Sequence, residues 1–207
     1  MFKNCKLYRR HLNKDKKLRT LIKAREPYTL TKENYIYLEL CSSIISQQLS
    51  VKVARVIYAR FLALCNKKNP KPKDILALPI EALRAIGLSN AKAGYVHNVC
   101  AFFIAHKITD AQLHTMEDEA VIELLTQIKG IGRWTVEMIL MFSLGREDVF
   151  AQDDLGIQQA MIRLYGLDGS DKKKLKQEMN RIADAWKPYR TYACRHLWNW
   201  KDNTPLT

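Results

Sequence analysis

Residues Leu124 to Leu140 read "LLTQIKGIGRWTVEMIL". Two glycines flanking one isoleucine interrupt an apolar helical pattern, which resumes at once with Arg133 and Trp134. The word predicts two helices joined by a very tight turn, because glycine alone enters positive φ without steric cost. It also predicts chemistry. The amides of Gly130 to Trp134 stand at the start of the second helix, where free donors and the helix dipole attract an anion. Lys129 and Arg133 flank the turn with positive charge. Lys129, Gly130, Ile131, Gly132 and Arg133 are therefore a candidate phosphate site. The alternative is an ordinary helical hairpin whose glycines only tighten the turn.

The rest of the chain suits a polyanion partner. Its 207 residues carry a net charge of +13, which favours DNA, RNA or an acidic membrane surface. With 47% hydrophobic residues it can bury a core, as one domain or two packed lobes. No stretch approaches the roughly 18 apolar residues of a membrane span. The first 26 residues hold ten Lys or Arg and lack an apolar run, which excludes a secretory signal. They form either a basic arm touching phosphates or a solvated amphipathic helix. Five scattered cysteines make no CxxC pair, so they offer neither a zinc site nor an iron–sulfur loop. Cys41 and Cys100 fall on apolar helix faces as buried thiols. The expected compartment is reducing and intracellular: cytoplasm and nucleoid, or nucleus.

Helical periodicity runs through the whole sequence, and alternating β-branched runs are nearly absent. Apolar residues recur at three and four from Lys32 to about Leu64. "NKKNPKPKD" (Asn66 to Asp74) is a loop. Short helices fit 74–78 and 80–86, with Gly87 as C-cap. Ser89 caps a helix running to about Ala105. Thr115 and Asp118 suggest a cap for the helix before the hairpin. Further helices fit 155–164, 171–186 and 189–200. The expectation is an all-α protein of eight to ten helices.

The hairpin word resembles the helix-hairpin-helix of DNA base-excision glycosylases, the HhH-GPD superfamily. Three further words are similar to the 3-methyladenine DNA glycosylase II branch: "IISQQLS" (44–50), "LRAIGLSNAKAGYV" (83–96) and "WKPYRTYACRHLW" (186–198). They occur in the family's order and span about Tyr35 to Trp200. The resemblance implies a two-lobed helical fold without an N-terminal β domain. One lobe would combine residues 1–34 with 155–207; the other would hold 35–154 and the hairpin.

By the same resemblance, the reaction is hydrolysis of the N-glycosidic bond of a damaged base in double-stranded DNA, by a monomer that needs no cofactor. Asp153 and Asp154 in "LGREDVFAQDDLGIQQA" (144–160) are both candidate carboxylates on chemical grounds. The family pattern selects Asp154, which an N-cap role would also explain. Trp134 stands where bifunctional members carry an attacking lysine, which implies a monofunctional enzyme. An electron-poor alkylated purine is attracted by an aromatic face, so Trp134 and Trp198 are the pocket candidates. Trp186, Tyr189 and Tyr192 share the C-terminal word and are core or pocket. Met138 and Leu155 stand where relatives can carry aromatics, so the pocket is less aromatic here. Gln48 matches the side chain that fills the gap left by a flipped nucleotide, or is simply an exposed residue at a bend. The family also implies a structural monovalent cation on the carbonyls of Thr126, Ile128 and Gly130. The competing reading is a non-catalytic helix-hairpin-helix module that binds DNA or senses damage.

Overall fold

The computed structural model describes residues 2–23 and 25–203, and all regular structure among them is helical. The helices are α1 (Phe2–Leu12), α2 (Leu18–Lys23), α3 (Ile36–Ser46), α4 (Val51–Leu64), α5 (Pro72–Leu76), α6 (Ile80–Ala85) and α7 (Asn90–Ala105). They continue as α8 (Asp110–Thr115), α9 (Asp118–Leu125), α10 (Arg133–Phe142), α11 (Leu155–Tyr165), α12 (Lys172–Asp184) and α13 (Arg190–Asn203). The excess over the expected eight to ten comes from short helices. The six residues of α2 and of α8 cannot display a 3.6-residue period. Thr115 is corrected with them. It ends α8, and its hydroxyl donates to the carbonyls of Ala111 and Gln112, while Glu117 occupies the N-cap of α9.

The chain divides into two compact units, Lys32–Ile139 and Met1–Thr31 with Leu140–Thr207. Residues 140–154 therefore belong with the terminal segments, not with the central lobe where the sequence reading places them. Long-range bonds explain the difference. Arg190 holds Asp148 through Nε and Nη2 at 2.8 and 2.9 Å. Thr191 donates to the Arg146 carbonyl at 2.7 Å and accepts from the Val149 amide.

In the unit Lys32–Ile139, α7 packs on α3, α5 and α6, and α3 packs on α4. Ile36, Leu40, Ile44, Ile45, Phe61 and Val96 are fully buried between them. Cys41 and Cys100 are buried and hydrogen-bonded to one another, which pushes the Cys41 thiol up. Asp110, at the start of α8, accepts from the amides of Tyr35 and Ile36 at 2.7 and 3.0 Å. It thereby satisfies the orphan donors that open α3.

In the other unit α13 packs on α11 and α2. The rings of Tyr8 and Tyr192 stack at 4.1 Å. Trp186 is fully buried and donates through Nε1 to Asp15 at 3.0 Å, which makes it a core residue. Tyr192 is core too, its hydroxyl bound to Glu147 at 2.7 Å.

Candidate functional site

The two acids of "QDDLG" separate cleanly. Asp153 is exposed and ion-paired to Lys176. Asp154 caps α11, its Oδ1 accepting from the Ile157 amide at 2.8 Å. The same oxygen accepts from the indole N–H of Trp198 on α13, at 2.7 Å and 44 residues away in sequence. The helix start and the indole donor together hold the carboxylate in one orientation. Gly156 makes room for this arrangement. A Cβ there would stand 3.0 Å from Asp154 Oδ1 and 3.1 Å from Trp198 Cδ1. Trp198 is thus the partner of Asp154 as well as an aromatic surface. Its ring lies 5.9 Å from that of Phe142, a half-exposed aromatic that the sequence reading missed.

The hairpin uses its two glycines differently. Gly130 has φ +103°, and a Cβ on it would fall 2.3 Å from Cγ of Tyr95 on α7. Both backbone conformation and close approach therefore demand glycine. Gly132 is not in the left-handed region, and a Cβ there would meet nothing within 4 Å. Its lack of a side chain leaves open surface, so the expectation of two strained glycines holds for Gly130 alone. Nothing in "NAKAGYV" singles out Tyr95, because only the packing shows that Gly130 rests on it.

The charges around the turn are also distributed unequally. Arg133 places Nη1 and Nη2 on the two carboxylate oxygens of Glu119 at 2.8 and 2.9 Å, and Nε on the buried Glu137 at 3.2 Å. These partners raise the guanidinium pKa further and lower that of Glu119. Arg133 ties α9 to α10, and its charge is largely met within the protein. The amide of Ile131 is likewise spent, on the Ile128 carbonyl at 3.0 Å. Lys129 keeps an exposed side chain, while its carbonyl accepts from Asn98 at 3.2 Å. Among the cation candidates, the Thr126 hydroxyl donates to the Ile122 carbonyl at 2.7 Å, and the Ile128 carbonyl holds the Ile131 amide with one lone pair left.

Gln48 and Trp134 line one cavity of about 370 Å³ with Ser43, Gln47, Thr135 and Met138. Trp134 is 45% exposed on the first turn of α10, and Met138 follows it one turn later on the same face. Gln48 sits in the left-handed region at φ 59°, in the short connection between α3 and α4. Leu155, 71% exposed, opens α11 directly after Asp154.

The chain is similar in sequence and fold to known proteins. The family model described as "HhH-GPD superfamily base excision DNA repair protein" matches residues 41–185. DNA-3-methyladenine glycosylase 1 of Schizosaccharomyces pombe is 36% identical over 185 residues, 88% of this chain and 80% of that protein. A crystal structure of DNA-3-methyladenine glycosidase from Bacillus halodurans superposes with a TM-score of 0.80 at 38% identity, covering 93% of this chain and 87% of that one. The S. pombe 3-methyladenine DNA glycosylase in complex with abasic DNA gives 0.81 at 32% identity, over 97% and 98% of the two chains. With the glycine hairpin, the capped aspartate and a family match across most of its length, the chain belongs to the HhH-GPD superfamily of base excision DNA repair proteins.

Proposed function

We propose that this protein is a monofunctional DNA glycosylase that removes alkylated purines, 3-methyladenine and 7-methylguanine among them, from double-stranded DNA and leaves an abasic site. The observation that carries the reading is the Asp154 carboxylate, fixed by the start of α11 and by the Trp198 indole. Cleavage of the C1′–N bond sends its electron pair out with the base and leaves positive charge on the sugar. An ionised carboxylate beside C1′ stabilises that charge and orients the water that adds there; the water's proton passes to the carboxylate or to solvent. An alkylated purine that already carries positive charge departs as a neutral base, so no general acid is required. Trp134 offers such a base an aromatic face. It has no amine for a Schiff base, which supports hydrolysis without strand cleavage.

The hairpin serves the backbone. Lys129 and the turn amides suit a phosphate, with Arg133 bracing the two helices. Three neutral carbonyls, those of Thr126, Ile128 and Gly130, are a donor set suited to a monovalent cation. A monovalent cation held there would supply positive charge at the hairpin. Gln48 fills the space that the extruded nucleotide vacates.

The decisive assay incubates the protein with methylated duplex and measures free 3-methyladenine and 7-methylguanine. Release by the wild type is expected. Asp154→Asn should slow it about a hundredfold or more while DNA binding persists. Asparagine is as good an N-cap as aspartate, so this variant keeps α11 intact. No release from alkylated, hypoxanthine-containing or uracil-containing DNA would leave the non-catalytic binding module as the function. Strand scission without heat or added base would overturn monofunctionality.

A further inference from the structure

Lys92 stands in an unfavourable place for its own helix. Ser89 caps α7 by accepting from the Lys92 amide, which puts Lys92 in the first turn. Acids suit that position and cations do not. The side chain leaves α7 and serves another helix. Its ammonium donates to the carbonyls of Ile45 and Gln47, at 3.0 and 2.5 Å, in the last turn and at the C-cap of α3. There the dipole and the orphan carbonyls favour a cation. Partial burial pulls the Lys92 pKa below its usual value.

What this cation secures is the connection between α3 and α4. Gln48 follows directly and adopts φ 59°, a conformation that is sterically unfavourable for a non-glycine residue. Such strain persists only where the surroundings impose it. On the far side Ser50 accepts from the Val53 amide at 3.4 Å and caps α4. The exposed Gln48 is thus mounted between a lysine bolt and a serine cap.

We propose that Lys92 is the positioning residue for Gln48: by binding the carbonyls of Ile45 and Gln47 it holds the strained tip, so that Gln48 enters the duplex as a nucleotide is extruded. The proposal rests on the glycosylase reading above. A side chain that fills the vacated space lowers the cost of extrusion, which is large in paired DNA and much smaller for a base without a partner. Loosening the tip should therefore slow the enzyme only where pairing must be broken.

The test compares single-turnover release of an alkylated purine from a fully paired duplex with release of the same base from a single strand. Lys92→Met should slow the paired substrate about tenfold and the single strand less than about twofold, the difference reflecting the extrusion cost. Lys92→Arg should restore most of the loss. Lys92→Met combined with Gln48→Ala should be no slower than Gln48→Ala alone. Equal losses on both substrates, or additive losses in the double variant, overturn the proposal and leave Lys92 a general structural residue. If Lys92→Met does not fold, Lys92→Gln carries the same comparison with a smaller expected loss and the same overturning result. Absence of release by the wild type from either substrate overturns the glycosylase reading and this proposal with it.

Discussion

Asp153 and Asp154 carry the same side chain, and their surroundings give them different work. Lys176 neutralises the first, while the second is held by a helix start and by Trp198. A neutral donor orients a carboxylate without cancelling its charge, which the proposed reaction requires of Asp154. Replacing Trp198 by phenylalanine keeps an aromatic ring beside Phe142 and deletes the indole N–H. A hydrogen bond to a charged group contributes about 1.5–3 kcal/mol. Trp198→Phe should therefore reduce the single-turnover rate about tenfold or more and leave affinity for abasic DNA nearly unchanged. An unaltered rate would show that the Ile157 amide alone suffices to orient Asp154.

At the scale of elements, the hairpin owes its shape to packing and its surface to openness. Gly130→Ala would press a methyl group into the Tyr95 ring and strain a backbone at φ +103°. Overpacking and backbone strain each cost about 1–3 kcal/mol, and a denaturant titration should show the loss. Gly132→Ala meets no neighbour. It should shift stability by less than about 1 kcal/mol yet weaken binding to damaged and undamaged duplex alike. Loss confined to damaged DNA would place the hairpin in the base pocket. Arg133 sits on the same element with a different expectation. Each phosphate contact contributes about −0.9 to the slope of log affinity against log salt. Because Glu119 and Glu137 engage its guanidinium, Arg133→Gln should lower affinity with the slope unchanged. A slope shallower by about one unit would identify Arg133 as a phosphate ligand.

For the molecule as a whole, the burial of His196 links folding to pH. Burial, with Arg9 and Arg195 near by, pushes its pKa from 6.5 down to about 4. The unfolded chain therefore binds a proton that the native protein refuses between those values. The resulting stability is fully present above pH 6.5 and is lost as pH falls through 4. The shift corresponds to about 3 kcal/mol. In urea titrations at pH 7.5 and pH 4, the wild type should lose about that much more stability than His196→Gln. Equal losses would mean that His196 is protonated in the folded protein. Tyr8 and Tyr28 flank its ring, at 6.0 and 4.8 Å, so the histidine belongs to the aromatic core of its unit.

Local pattern already contained the helical class, the hairpin, the caps at Ser89 and Asp154 and the family itself. Each depends on residues within a few positions of one another, where backbone conformation is decided by φ preference, capping and a 3.6-residue period. The sequence alone could not show that Trp198 reaches Asp154 or that Trp186 is core through Asp15. It could not show that Gly130 rests on Tyr95, that Lys92 holds Gln47, or that Arg133 is spent on Glu119. Those pairings join different helices, up to 171 residues apart for Asp15 and Trp186, and they exist only once packing has set the distances. The sequence determined which groups the chain has for the chemistry; the tertiary structure decided which of them remain available for it. The reason is that a charge or a ring is committed by its neighbours in space, and periodicity along the chain does not specify those neighbours.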